Sequence, residues 1–133
     1  MKKITFMLVA ILFLSLGTYA QATFLQTASN PTGAIVNASV DTMNYTLSGT
    51  YTLVTIQPII TKLTGTAAGT STLSYSLDGV NYVTTATTAL TLTNVTKNTT
   101  VWNVASSARY WRIITGGATT VTATCTAKIL AGR

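Results

Sequence analysis

The chain contains no histidine and no glutamate, and its only acids are Asp41 and Asp78. Ser-His-Asp and Cys-His nucleophile systems are therefore excluded. A carboxylate pair for glycoside hydrolysis would have to be Asp41 with Asp78, and Asp78 sits in a turn sequence. Zinc needs several His or Cys ligands, and no glycine-rich phosphate loop occurs. The expectation is a protein that is not an enzyme and that holds no metal or cofactor. Charged residues make up 8% of the chain, against about 25% in ordinary soluble domains, so packing rather than ion pairing has to hold the fold. Lys62, Lys97, Arg109, Arg112, Lys128 and Arg133 are scattered singly. A nucleic-acid reader would gather such residues into a stripe, so the net charge of +6 reflects missing acids rather than a nucleic-acid partner. The single cysteine, Cys125, rules out an internal disulfide. It shares strand parity with Val121, Ala123, Ala127 and Ile129, which predicts a buried thiol.

One long apolar run exists, residues 4–16, behind Met1-Lys2-Lys3 and ahead of Gly17-Thr18-Tyr19-Ala20. This is the pattern of a secretory signal peptide, and it is short of the roughly 20 residues that a membrane helix needs. Residues 1–20 are read as a signal helix removed after Ala20, with Ala22 as the alternative cleavage site. Residues 21–133 are then one domain, secreted to the periplasm, the medium or the cell surface. The membrane is met only before cleavage.

Strand signals fill that domain. Residues 71–85 read STLSYSLDGVNYVTT. Leu73, Tyr75 and Leu77 alternate with Thr72, Ser74 and Ser76, the period of a half-buried strand. Asp78-Gly79-Val80-Asn81 then predicts a tight turn or bulged hairpin. In residues 108–115 Trp111 and Ile113 oppose Tyr110 and Ile114. Asn30-Pro31-Thr32-Gly33 and residues 96–100 read as turns. Pro58, unable to donate a ladder hydrogen bond, predicts an edge strand or a bulge bending residues 50–64. Thr119 onward alternates with Thr outside. Short strands about every ten residues, with no amphipathic helix, predict an all-β antiparallel β-sandwich, jelly-roll or Ig-like. Trp102, Trp111, Tyr75 and Tyr82 are expected to fill the space between its sheets.

Binding residues are sought where polar groups and aromatics meet. Asp78, Asn81 and Tyr82 share the hairpin tip, and an aromatic beside Asn and Asp can stack and hydrogen-bond a sugar. Arg112, alternating beside Trp111, is a candidate for an anion, an aromatic or a salt bridge.

Several stretches resemble known proteins. The leader is similar to those of Bacteroidetes, where mature chains often begin with Gln after Ala. Asp41-Thr42-Met43 resembles the short O-glycan acceptor of that group, which implies a glycan on Thr42. SLDGVNYV, LTLTNVT, a Trp before a polar turn, YWRI with Gly116-Gly117, and the ending KILAGR together resemble short β-sandwiches among phage and prophage structural proteins. The SxDG and YxRI stretches also resemble discoidin-like sandwiches that bind sugars or lipids. Two functions are thereby expected. The first is a structural or interaction protein that self-associates or decorates a virion-like or extracellular surface. The second is a small carbohydrate-binding or adhesin module using the tip at 78–82.

Overall fold

The computed structural model describes residues 24–36, 39–117 and 121–132, and the expected signal helix at 1–20 lies outside them. Ten strands follow one another: β1 (Phe24–Val36), β2 (Val40–Thr46), β3 (Leu53–Thr64), β4 (Gly69–Ser76), β5 (Val83–Thr84), β6 (Leu90–Leu92), β7 (Lys97–Thr99), β8 (Trp102–Ala105), β9 (Tyr110–Gly117) and β10 (Thr122–Gly132). They form two antiparallel sheets. One runs β1-β10-β3, with β7 and β8 sharing the far side of β3; the other runs β2-β9-β4, with β5 and β6 sharing the far side of β4. First strand pairs with last, and second with second-last. That nested order is the jelly roll's, not the immunoglobulin sandwich's.

Alternation decides which residues enter the core. Asp41, Met43 and Tyr45 of β2 face inward, as do Trp111, Ile113 and Thr115 of β9. From the opposite sheet come Val54, Ile56, Pro58 and Ile60 of β3, and Ala123, Cys125, Ala127, Ile129 and Ala131 of β10. The small Ala residues of β10 leave room for the large aromatics facing them, which is how two sheets about 10 Å apart interdigitate. Trp111 is fully buried and donates its Nε1–H to the Ala108 carbonyl at 3.0 Å. Trp102 is buried too, with its Nε1–H given to the Thr88 carbonyl at 2.9 Å.

Pro58 does not bend β3 and does not mark an edge. The strand is continuous and central, and Pro58 is fully buried opposite Ala127. Its carbonyl accepts the Thr99 hydroxyl at 2.8 Å, on the β7 and β8 side. The absent N–H points the same way, to the gap where the neighbour passes from β7 (ending at Thr99) to β8 (starting at Trp102). No ladder bond is lost there, so the proline is tolerated.

Two expected turns are strand. Asn30-Pro31-Thr32-Gly33 is a bulge within β1, where the register with β10 slips between Ser29 and Ala34. Residues 97–99 are polar yet pair with Ile59, Ile60 and Thr61. Buried Asn98 meets its own hydrogen-bonding needs: Oδ1 accepts the Thr93 N–H at 2.9 Å and Nδ2 donates to the Thr93 carbonyl at 2.9 Å.

Gly69 closes β4 against β9 with φ +123°, and a Cβ there would collide with the Gly116 carbonyl. Gly69→Ala is therefore expected to cost about 1–3 kcal/mol or more in urea unfolding. A loss within error of zero would contradict the close approach.

Cys125 is buried beside Asp41 and Thr115, and burial pushes its thiol up to about 12, with the Asp41 carboxylate adding to the shift. An unfolded thiol titrates near about 8.5. The native state thus keeps a proton that the unfolded chain loses, so stability is complete below that value and falls as pH rises above it. Native protein at pH 8 is expected to leave Cys125 unreacted with a thiol reagent that labels it fully in guanidinium. Rapid native labelling would contradict this burial.

Candidate functional site

The hairpin of β4 and β5 carries the site. Its strands pair only at Ser74 with Thr84 and Tyr75 with Val83, so residues 77–82 form a loop longer than the tight turn expected. Asp78 is its hub. Oδ1 accepts the Ser76 hydroxyl at 2.7 Å and the amides of Val80 and Asn81 at 2.8 Å each; Oδ2 accepts Asn81 Nδ2 at 2.7 Å. The Ser76 hydroxyl in turn accepts the Gly79 N–H at 3.0 Å. Gly79 supplies the left-handed φ of +78° and lies against the Tyr110 ring. The carboxyl of Asp78 is held well below the usual carboxylate range, first by the Ser76 hydroxyl and then by the Asn81 and Val80 amides.

The outer face of the same sheet holds the other candidates. Asn44, Arg112, Ser74 and Thr84 lie in one cross-strand row. The Arg112 guanidinium lies over the Tyr82 ring, 3.6 Å from its centroid, and its Nε–H donates to Asn44 Oδ1 at 3.0 Å. Tyr82 therefore packs outside the sheet, on the face opposite Trp111, and does not fill the space between the sheets as expected. Ser74 and Ser76, read as wet-face residues, are buried, one in register with Arg112 and the other beneath the Asp78 turn.

The sequence candidates thus form two linked groups, Asp78 with Asn81 and Tyr82 with Arg112, joined by the loop. Both carboxylate oxygens of Asp78 and the amide nitrogen of Asn81 are engaged within the loop itself. The outward lone pairs of Asp78 remain exposed around a loop whose shape these bonds hold. Thr42 lies apart, exposed on the outer side of β2.

What the loop does present is apolar. Leu77, Val80 and Val83 are 73%, 77% and 59% exposed. Leu77 and Val83, with Tyr75, Ser76, Asp78 and Asn81, line an open hollow of about 410 Å³. Leu77 was expected to continue the buried face of Leu73 and Tyr75, but β4 ends at Ser76 and the turn swings it outward. Its signal in the sequence is an apolar residue on each side of Asp78-Gly79, which a mere surface turn does not need. Among the described residues no helix is long and apolar enough to cross a membrane, and no three His, Cys, Asp or Glu gather as metal ligands.

No protein-family model matches the chain, and no curated protein matches it in sequence. Solved structures share its fold. The PBSX exported protein XepA superposes with a TM-score of 0.55 at 14% identity, over 82% of this chain and 37% of its own. The Yersinia pseudotuberculosis-derived mitogen does so with 0.50 at 8% identity, over 83% and 86%. The VP2 subviral particle of infectious bursal disease virus gives 0.49 at 12% identity, over 84% and 33%. The chain thus spans well under half the length of XepA, and the likenesses to XepA and to the mitogen agree with the β-sandwich that the two sheets form.

Removing the charge of Asp78 tests the hub. Asp78→Asn places an amide where Oδ2 accepts from Asn81, so two donors face each other. The hub's charge-dependent stability is complete above about pH 4 and wanes as pH falls toward the depressed native value. The variant is expected to melt below the wild type at pH 7, with the gap narrowing as pH falls from about 4 toward 2. An equal gap at both pH values would contradict the assignment.

Proposed function

We propose that this chain is a non-enzymatic, secreted structural or interaction module that works by assembly or surface decoration. It docks the 77–83 loop on a protein surface, including that of further copies. The carrying observation is the set of three exposed apolar side chains on a loop fixed by the Asp78 hub. Grouped exposed apolar side chains mark contact surfaces, and a loop already ordered loses little entropy on docking. The scarcity of charge fits the same reading, since few groups would have to be desolvated in a contact. The alternative is a carbohydrate-binding or adhesin module at the tip, where the exposed Asp78 and Asn81 are held in a fixed geometry. Thr42 stays open to an O-glycan by its exposure.

The test is the solution mass of the protein by light scattering over a concentration series, beside Leu77→Asp/Val80→Asp. Both positions are exposed, so the double variant should keep its stability within about 0.5 kcal/mol per site. Wild type is expected to form species larger than a dimer as concentration rises, and the variant is not. Identical mass profiles for the two would overturn the role of the loop.

A further inference from the structure

The four sheet edges are not alike. In one sheet, β1 carries its bulge and Pro31, and the opposite edge is split into the short β7 and β8. In the other sheet, the edge beyond β4 is split into β5 and β6. Bulges, prolines and short broken strands are the devices that block strand addition. The fourth edge, β2, has none of these three, and its one inward-pointing charge, Asp41, is buried on the face away from the outer side chains. It reads VDTMNYT, pairs with β9 without a register slip, and has no lysine, arginine or proline.

Its backbone polarity can be assigned. The Leu47 N–H bonds the Arg109 carbonyl at 2.8 Å, and the Ser39 carbonyl accepts the Gly117 N–H at 3.1 Å. Both pairs continue the β2 and β9 register. Because antiparallel strands alternate the side to which a residue turns both backbone groups, odd-numbered residues of β2 face β9. Val40, Thr42, Asn44 and Thr46 turn theirs to the open edge, and among the described residues no strand takes them.

We propose that this edge pairs with β2 of a second copy, antiparallel about a two-fold axis at Met43. It extends the assembly reading to a second surface and is tested apart from it. In that register Val40 faces Thr46 and Thr42 faces Asn44, each twice, and each pair exchanges both N–H···O bonds. The side chains match as well. Asn44 Oδ1 is taken by Arg112 Nε–H, which leaves the amide nitrogen to donate to the Thr42 hydroxyl opposite. No charged side chain stands on the outer face of β2. Arg112 sits one strand further in, so the two guanidinium groups are separated by three strand spacings, about 14 Å. That exceeds the Debye length of about 8 Å at physiological salt. Edge pairing alone buries little area, so the contact is expected at the weak end of specific interfaces.

The test is hydrogen exchange of the full exported protein bearing Leu77→Asp/Val80→Asp, at low and high concentration, read amide by amide. Met43 and Tyr45, bonded to β9, should be protected at both concentrations. Thr42, Asn44 and Thr46 should become protected only at high concentration, as the scattering mass doubles. Thr42→Pro removes one outward donor and should weaken dimerisation by at least about tenfold, while an unchanged melt reports an intact fold. Outward amides that exchange equally fast at both concentrations would overturn the proposal. So would a dimer that Thr42→Pro leaves intact, or outward amides protected by a different protein when the chain alone stays monomeric. If the loop variant matches wild type, the loop reading fails while the edge result stands by itself.

Discussion

Trp111 is the side chain on which the sandwich depends. It lies in the inner row Tyr45, Trp111, Tyr75, taken across β2, β9 and β4. Its ring meets Tyr75 at 5.8 Å between centroids, tilted by 49°, an offset geometry that favours aromatic pairs. Tyr45 gives its hydroxyl proton to the Met43 sulfur at 3.2 Å, and burial, with Asp41 nearby, pushes its titration above the ordinary range. With 8% charged residues in the chain, this aromatic row and the aliphatics facing it from β3 and β10 supply the cohesion that ion pairs cannot.

The row fixed by Trp111 also fixes its neighbour on the other face. Once Trp111 is inside, Arg112 must be outside, since successive strand residues alternate. Arg112 then receives Tyr82, and Tyr82 anchors the far end of the loop whose near end Ser76 and Asp78 hold. The exposed Leu77 and Val80 are thus placed by the core at one remove.

Much of this was legible where alternation is strict. In β4, β9 and β10 the inward residues follow directly from parity, and the burial of Cys125 follows with them. The fold class came from the spacing of such strands and their short polar turns. What parity cannot give is the identity of the neighbour. Pro58 reads as an edge residue because its missing N–H is visible in sequence, whereas the gap between β7 and β8 that excuses it is not. Asn30-Pro31-Thr32-Gly33 has turn chemistry, but β10 pairs on both sides of it and makes it a bulge. Tyr82 looks like a core aromatic until Arg112 is seen to offer it a partner outside. The apolar loop escaped notice because side chains beyond a strand's end follow no period.

The nested pairing has a consequence in time. β1 needs β10 and β2 needs β9, so the outermost partners in sequence are neighbours in space. Neither sheet can be completed while the C-terminal third of the chain is still being made. Closing such long loops before any contact rewards it slows folding, and the unfinished chain meanwhile exposes the strands it will later bury. The fold therefore closes only once the last strand is available. The step that releases its last strand, rather than the rate at which its residues are added, sets when it becomes a protein.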